Sequence, residues 1–231
     1  MKRVFIVFVS VVSLLGVCYA GEKPALKDQK KKDSYSLGYQ YGETFKKQGM
    51  EIDLEIFTAG IRDALEGAKP GMSPEEIRET IKSLQQRVFI AQQQQLREQA
   101  AKNLEAGKAF MAENAKKKGV KTLPSGLQYR VITQGAGNSP KAGDTVTVNY
   151  RGTLIDGTEF DSSYKRGEPA SVHVDGVIAG WTEALQIMKE GSKWELFVPS
   201  ELAYGRRGMG RIPRNSSLIF EVELVSVESS E

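Results

Sequence analysis

The residue types that carry most enzyme chemistry are nearly absent from this sequence. Its 231 residues include a single cysteine, Cys18, and a single histidine, His173. One residue of each type excludes a CxxC redox pair, a disulfide framework and a Cys/His zinc site. A Ser-His-Asp triad would have to use His173, which stands in the alternating run Ser171-Val172-His173-Val174 and so favours a place on a strand face. The composition therefore removes many enzyme classes.

A different kind of candidate is the stretch Val177-Ile178-Ala179-Gly180-Trp181, in which small residues precede a tryptophan that opens a helix. Helical spacing continues through Leu185 and Met188, and Gly191 suits a C-terminal stop. Small residues beside a large aromatic let other side chains close over its ring. An isolated tryptophan of this kind is more often part of a core, so its neighbours in the sequence decide between a core and a pocket.

Composition and charge describe a globular protein. The sequence is 40% hydrophobic and 26% charged, which suits one or two domains. The net charge of +3 divides into +2 over residues 1–20, +4 over 21–121 and −3 over 122–231. No segment is basic enough to indicate a nucleic-acid partner.

Residues 1–20 have the pattern of a secretory signal peptide. Lys2 and Arg3 are its positive start, Val4–Val17 its apolar middle, and Cys18-Tyr19-Ala20 a small-x-small cleavage site. The apolar run is short for a membrane span, which needs about 20 residues. Lipidation of Cys18 is an alternative, although Val17 fits that signal poorly. We expect an exported protein that is periplasmic or outer-membrane associated.

Helices are predicted for the first half of the mature chain, after a flexible polar segment at 21–33. The first helix starts near Ser34, with Gly38 and Gly42 in a stripe of small residues that indicates either close approach of another backbone or simply a poor helix. The second starts at Asp53. Their apolar faces exceed what one small helical unit can hide, so we expect residues 34–91 to form a dimerisation domain.

A long connecting helix is predicted over 73–118, from the capping motif Ser73-Pro74-Glu75-Glu76 to Lys118-Gly119. Its apolar seam thins out after Ala91, where Gln92-Gln93-Gln94-Gln95 follows. A helix that is polar nearly all round usually bridges solvent between domains. We therefore expect a stalk, in which Leu104, Met111 and Ala115 indicate that the helix regains a contact further on.

Alternating strands replace helical periodicity from residue 122 onward, with a hairpin turn at Asp156-Gly157. The predicted strands centre on Tyr129, Val148, Leu196 and Val222, and the only predicted helix is the one that Trp181 opens. The predicted class is therefore α+β, with an all-helical N-terminal region and long helix followed by an antiparallel sheet wrapped around one short helix.

Linked motifs of the second half closely resemble the FKBP-type peptidyl-prolyl cis/trans isomerases over residues 122–228. The helical half resembles the dimerisation region of the macrophage infectivity potentiator group of periplasmic FKBP-type isomerases. The motifs, in order, are Val148-Asn149-Tyr150-Arg151-Gly152, Asp156–Ser163, Val177–Trp181, Leu202-Ala203-Tyr204-Gly205, Ile212-Pro213 and Leu218–Leu224.

The resemblance implies a pocket for a prolyl ring, with Trp181 as its floor and Ile212 at its rim. Asp161 is expected beside the bound carbonyl, where it either acts electrostatically or orients tyrosine and arginine groups. The Tyr204 hydroxyl and the Ile178 N–H are expected to hold peptide carbonyls. The expected walls are Tyr150, Phe160, Val177, Ile178 and Phe220. Of these residues, Asp161, Tyr204, Phe220 and Trp181 are expected to be catalytic and the others substrate-binding.

Two positions depart from the family pattern. Ala170 stands where many members carry an aromatic wall, and Met209 stands in a shortened loop where small cytosolic members have a histidine. Because of these two departures, the substrate preference of the family does not carry over directly to this chain.

The expected function is cis/trans isomerisation of X-Pro bonds in folding exported proteins, with chaperone activity as a homodimer. No cofactor or metal is needed, because no bond is broken. The expected partners are proline-containing unfolded chains and macrolides of the tacrolimus and rapamycin type. The alternative is a non-catalytic chaperone or surface-binding protein that uses the same cleft.

Overall fold

The computed structural model describes residues 26–229 and divides the chain into two compact units, Met1–Pro70 and Gly71–Glu231. The predicted signal peptide and the first residues of the predicted polar segment lie outside the described residues. Among the helices at 26–229, none combines the length and the apolar character that a membrane crossing requires.

The first unit contains two helices, α1 (Gln29–Gln48) and α2 (Leu54–Glu66). Helix α1 begins before its predicted start near Ser34, because Asp28 caps the first turn by accepting a hydrogen bond from the Lys31 N–H, so the predicted polar segment is helical from Gln29 onward. Lysines have fair helix propensity, so a lysine-rich composition did not by itself indicate a loop. An edge-to-face contact joins the two helices, with the ring centroids of Phe45 and Phe57 5.3 Å apart.

Neither α1 nor α2 buries a residue within the described chain. At Gly38 and Gly42, an added Cβ would meet no atom within 4 Å, so the stripe of small residues is open. The large apolar side chains that stay exposed on these helices are Tyr35, Leu37, Tyr39, Tyr41, Leu54, Ile56, Ile61 and Leu65.

The second unit begins with α3 (Pro74–Asn114), a helix of 41 residues. Its start is as predicted, with a capping box in which Ser73 accepts from the Glu76 N–H and the Glu76 carboxylate accepts from the Ser73 N–H. It ends at Asn114, before the predicted Lys118-Gly119.

The last turns of α3 pack on the sheet that follows, where Leu104, Met111 and Ala115 indicated a regained contact, and buried polar side chains make part of this contact. Asn114 is fully buried, and its Nδ2 donates to Gln128 Oε1 at 3.0 Å. Gln128 Nε2 in turn donates to the Met111 carbonyl at 2.9 Å, and the rings of Phe110 and Phe197 lie 6.0 Å apart. Amide side chains can pair with protein as well as with water, so a polar pattern did not distinguish the two.

In the part of the chain that the structure describes, seven strands form one antiparallel sheet in the order β1-β2-β6-β7-β3-β4, with β5 also paired to β3. The central β3 pairs with β7 along one edge and shares its other edge between β4 and β5. The hairpin at Asp156-Gly157 joins β3 to β4, as predicted. The strands are β1 (Val120–Thr122), β2 (Gln128–Thr133), β3 (Thr145–Leu154), β4 (Glu159–Ser162), β5 (Ala170–His173), β6 (Lys193–Val198) and β7 (Leu218–Glu228).

The predicted short helix is α5 (Ala179–Ile187), whose buried side chains Trp181, Ala184 and Leu185 pack against the inner residues of β3, β6 and β7. The prediction of only one helix in this half is incomplete. The structure adds α4 (Ser163–Arg166) and a 3-10 turn at Ser200–Leu202. Elements of three or four residues are too short to show a period in the sequence.

Gly107 brings α3 against the sheet unit, and this contact gives a test of the docking. A Cβ built at Gly107 would lie 2.4 Å from Ser217 Oγ and 3.3 Å from Ser217 Cβ. We expect Gly107→Ala to lower the free energy of unfolding by about 1–2 kcal/mol, because the overpacking cost exceeds the gain in helix propensity. Urea unfolding of the full chain measures the change.

The control for this prediction is Ser217→Ala, which removes the nearest atom. In that background, Gly107→Ala should be neutral or stabilising. An equal cost of Gly107→Ala in both backgrounds would mean that α3 does not approach the sheet in this way.

Candidate active site

One cavity of ≈ 420 Å³ opens between α5, the curved face of the sheet and the loop after the 3-10 turn. Aromatic and aliphatic side chains make most of its wall, and Asp161 is the only charged residue on it. The lining residues are Tyr150, Phe160, Asp161, Val172, Gly176, Val177, Ile178, Trp181, Tyr204, Met209 and Phe220.

Four aromatic rings meet at right angles around this cavity. Trp181 contacts Tyr150 with centroids 5.2 Å apart at 89°, and contacts Phe220 at 5.2 Å and 79°. Phe160 meets Phe220 at 5.6 Å and 86°. Edge-to-face pairs of this kind are favoured by the ring quadrupoles and add about 0.5–1.5 kcal/mol each beyond area burial. The wall is therefore held rigid by its own rings.

Gly152 on β3 makes room for two of these rings. A Cβ at this position would come within 2.7 Å of the Phe160 ring and 2.9 Å of the Phe220 ring. Real Cβ atoms do not approach other heavy atoms this closely, so only glycine lets both rings lie over the strand. The strand itself is fixed by its pairing on both edges, in which Gly152 faces Asp161 on β4 and Phe220 on β7.

Both oxygens of the Asp161 carboxylate accept hydrogen bonds at the edge of the cavity. It accepts a hydrogen bond from the Tyr150 hydroxyl at 2.5 Å, a close contact from Arg166 Nη1 and a bond from the Ser162 N–H at 2.8 Å. Arg166 Nη2 also donates to the Tyr150 hydroxyl at 2.9 Å, and the guanidinium lies 5.3 Å from the centroid of that ring. The three side chains form a closed triangle that fixes the tilt of the Tyr150 ring.

This triangle sets the charge state of the site. Partial burial raises the pKa of Asp161, but hydrogen bonds from Tyr150 and Arg166 and the charge of Arg166 outweigh it, so the pKa lies below its ordinary value of 3.8. Burial, followed by the Asp161 bond, raises the pKa of Tyr150 above 10.0. The site therefore holds an ionised carboxylate and a protonated phenol throughout the neutral range.

Two polar groups on the wall are free to meet a ligand. Neither the Tyr204 hydroxyl nor the Ile178 N–H makes a hydrogen bond to any part of the chain at 26–229. Burial, and then the charge of Asp161, raise the pKa of Tyr204, so its hydroxyl remains a donor. Across the same described residues, no group of three or more His, Cys, Asp or Glu side chains could hold a metal ion.

Eight of the nine site residues that were predicted from the sequence line the cavity. The exception is Ile212, which is 7% exposed and lies in the core cluster behind the loop, where it lines a separate groove with α3. Its predicted place at the rim is taken by Met209, which is 62% exposed. Ala170 packs beside the core without lining the cavity, and Val172 of the same strand lines it instead.

Arg166 is the functional residue that sequence reasoning missed. It follows Asp161 by one short helix, in the run Asp161-Ser162-Ser163-Tyr164-Lys165-Arg166. The usable signal was a basic residue at the end of a turn that begins with a capping serine, since Ser162 accepts from the Lys165 N–H. That signal was too weak to separate Arg166 from its neighbour Lys165, which pairs with Glu159 instead.

Comparison with known proteins finds similar sequences over most of the chain. Residues 30–131 match the domain amino terminal to FKBP-type peptidyl-prolyl isomerase, and residues 137–225 match FKBP-type peptidyl-prolyl cis-trans isomerase. The peptidyl-prolyl cis-trans isomerase Mip of Coxiella burnetii is 45% identical over 229 residues, which cover 99% of each chain. The outer membrane protein MIP of Legionella longbeachae is 43% identical over 212 residues, which cover 91% of each.

A solved structure is also similar to this chain. The crystal structure of FkpA from Escherichia coli superposes with a TM-score of 0.76 at 43% identity, covering 90% of this chain and 100% of that one. Together with the aromatic cavity, these matches place the protein: the chain belongs to the FKBP-type peptidyl-prolyl cis-trans isomerases.

Proposed function

We propose that the aromatic cavity is the isomerase site and that it binds the prolyl ring of an X-Pro segment. The observation that carries this is the meeting of Trp181, Tyr150, Phe160 and Phe220 at right angles in one cavity, beside a fully paired Asp161. Trp181 is the floor of the site, and the other rings with Val177 and Ile178 are its walls.

Isomerisation in such a pocket needs no bond to break. A planar amide resists rotation with a barrier of about 18–20 kcal/mol, because resonance gives the C–N bond double-bond character. At the twisted transition state this resonance and part of the charge separation are lost. An apolar cavity that excludes water favours the twisted amide over the planar one, and the difference lowers the barrier. The Tyr204 hydroxyl and the Ile178 N–H hold the flanking carbonyls while the bond turns.

Asp161 acts in this proposal chiefly as a positioning residue. Its oxygens are occupied by Tyr150, Arg166 and the Ser162 N–H, so its first effect is to hold the Tyr150 ring against Trp181. This favours the orienting role over a direct electrostatic one.

Removing the charge of Asp161 tests this role. Asp161→Asn keeps the size of the side chain but loses two charge-assisted bonds, each of which is typically worth about 1.5–3 kcal/mol. We expect kcat/KM on a proline tetrapeptide to fall about tenfold, with an unchanged circular dichroism spectrum. Asp175→Asn is the control, since Asp175 is exposed beside Gly176 and makes no hydrogen bond within the described chain. Equal rates in both variants would remove Asp161 from the site.

The pH dependence distinguishes this mechanism from general acid–base catalysis. The lowered pKa of Asp161 means that its contribution is complete above the ordinary value of 3.8 and is lost only as the pH falls through the lower folded value. The raised pKa values of Tyr150 and Tyr204 keep both hydroxyls protonated past 10.0. We expect kcat/KM to be flat between about pH 5 and 9. A bell-shaped profile inside that range would show that a titrating group carries the reaction.

The same cavity is proposed to bind macrolides of the tacrolimus and rapamycin type in competition with substrate. Its apolar floor and the free Tyr204 hydroxyl support such binding. Met209 at the rim, rather than Ile212, is the residue that a bulky ring would meet first.

We further propose that the protein is a homodimer through residues 34–91 and holds unfolded client chains in addition to isomerising them. The support is the set of exposed apolar side chains on α1 and α2 and, on the first half of α3, Ile77, Ile81, Phe89 and Ile90. The open stripe at Gly38 and Gly42 would allow close helix contact. Residues 1–20 support export, and a relative is described as an outer membrane protein.

Separating the two functions requires a cut before Ala100, because the last turns of α3 pack on the sheet unit. A fragment of residues 97–231 should be monomeric and nearly as active as residues 21–231 on a tetrapeptide. It should be much weaker in refolding a proline-limited protein, since two tethered sites can raise apparent affinity by roughly 10²–10⁴. Sedimentation and refolding rates measure both properties.

Two results would contradict the proposal that the helical region provides dimerisation and client binding while the sheet unit provides isomerisation. One is a monomeric form of residues 21–231. The other is a fragment of 97–231 that refolds protein substrates as fast as the longer chain. A fragment beginning at residue 120 is the control, and we expect it to be less stable, because it leaves the partners of Asn114 and Phe110 exposed.

A further inference from the structure

The loop between Tyr204 and Asn215 is unusually rich in arginine. It contains Arg206, Arg207, Arg211 and Arg214, and the sequence has no acidic residue between Glu201 and Glu221. Residues 122–231 carry 11 basic and 14 acidic side chains, so this one loop holds more than a third of the basic residues of an otherwise acidic half. The positive charge is therefore local.

These arginines have no internal partners. Within the described residues, none of the four side chains makes a hydrogen bond, a salt bridge or a contact over an aromatic ring. By contrast, Arg130, Arg151 and Arg166 of the same unit all pair with carboxylates. Arg206, Arg207 and Arg211 are exposed to solvent. Their charge is available to a bound molecule.

The loop borders the isomerase cavity. Tyr204 and Met209 both lie on the cavity wall, so two of the arginines fall between wall residues and two follow directly after. A small hairpin closes the tip, in which the N–H groups of Met209 and Ile212 each donate to the other's carbonyl at 3.0 and 2.8 Å. Arg207 and Arg214 line the groove beside α3, whereas Arg206 and Arg211 are exposed on the same loop and are the two that a chain held in the cavity could reach.

Helix α3 holds the loop in place from behind. Asn103 Nδ2 donates to the Arg214 carbonyl at 2.9 Å, and Asn215 Nδ2 donates to the Ala100 carbonyl at 3.2 Å. The Asn215 N–H also donates to the Gly205 carbonyl at 2.7 Å, which closes the base of the loop. The backbone that carries the arginines is thus pinned at both ends, so their charge is presented at a fixed place.

We propose that this loop, which we call the arginine rim (residues 205–214), selects substrates whose proline is flanked by aspartate or glutamate. The inference rests on the proposed isomerase site, because the rim acts on the chain that the cavity holds. Arginine is the cation suited to carboxylates, since its planar donors match both oxygens. The cavity supplies the contact with the proline, and the rim adds a preference for the sequence around it.

A polypeptide is favoured over an anionic membrane surface for two reasons. The rim loop carries Met209 on the lining of a concave cavity, so residues next to a bound proline lie within reach of it. Its charge is also confined to one loop, whereas the rest of residues 122–231 is acidic and would be repelled by an anionic membrane surface.

The test uses residues 21–231 and three hexapeptides that share an Ala-Pro core. The residues on either side of this core are glutamate in the first peptide, glutamine in the second and lysine in the third. We expect kcat/KM to be about three- to tenfold higher for the glutamate peptide than for the glutamine peptide at low salt, as a few exposed charge pairs would give. The lysine peptide should be the slowest. The preference should shrink at about 0.5 M salt, where exposed charges are screened.

Charge-matched variants assign the preference to the rim. In the double variant Arg206→Gln/Arg211→Gln, the ratio of kcat/KM for the glutamate peptide to kcat/KM for the glutamine peptide should fall close to one. The double variant Arg206→Lys/Arg211→Lys should keep most of the preference for glutamate. The control is Lys141→Gln with Lys189→Gln, which removes the same charge from two exposed, unpaired lysines elsewhere on the domain. The control should retain the wild-type ratio.

The outcomes distinguish a failure of the rim proposal from a failure of the isomerase-site assignment. If the glutamine peptide is not isomerised, the site assignment fails and the rim proposal falls with it. If that peptide is isomerised but the glutamate ratio is near one, or unchanged by the arginine variants, only the rim proposal is overturned. Rim-dependent binding to phosphatidylglycerol vesicles without any peptide preference would also overturn it, in favour of a membrane contact.

Discussion

The structure depends on one packing constraint, the burial of the Trp181 ring among rings that meet it at right angles. Trp181 is 5% exposed and Phe220 4%, yet both line the cavity, so the same side chains serve as core and as binding surface. The arrangement is possible because Gly152 leaves the space that Phe160 and Phe220 occupy. Asp161 and Arg166 then fix Tyr150, the one wall ring that carries a hydroxyl bound within the site.

Helix α3 contacts both the sheet and the loop that borders the cavity. Its last turns are tied to the sheet by the buried Asn114 and to the rim loop by Asn103. Met209 of this loop lines both the cavity and the groove beside α3, so the helix and the cavity share one segment of their walls. The long helix is therefore part of what shapes the site, in addition to being the connection to α1 and α2.

The sequence predicted most of the cavity, because linked motifs kept Tyr150, Asp161, Trp181 and Phe220 in a recognisable order. It did not show that Ile212 is buried beside α3, since burial there depends on how the loop folds back onto that helix, which is a long-range contact. It could not find Arg166, because a helix of four residues leaves no periodic signal. Nothing in the sequence indicated that Asn114 is buried, since a polar residue on a helix shows the same pattern whether water or Gln128 satisfies its hydrogen bonds.

The two tryptophans offer the most direct measurement of the central claim, that Trp181 is the floor of the prolyl site. The sequence has no others, and Trp194 stacks on Tyr129 at 4.4 Å, away from the cavity lining. In nitrogen-15 NMR of residues 21–231, titration with a proline tetrapeptide should move the Trp181 indole signal and leave Trp194 in place. The same peptide with alanine for proline should move neither. If the Trp181 indole signal does not shift with the proline peptide although that peptide is isomerised, the account is contradicted.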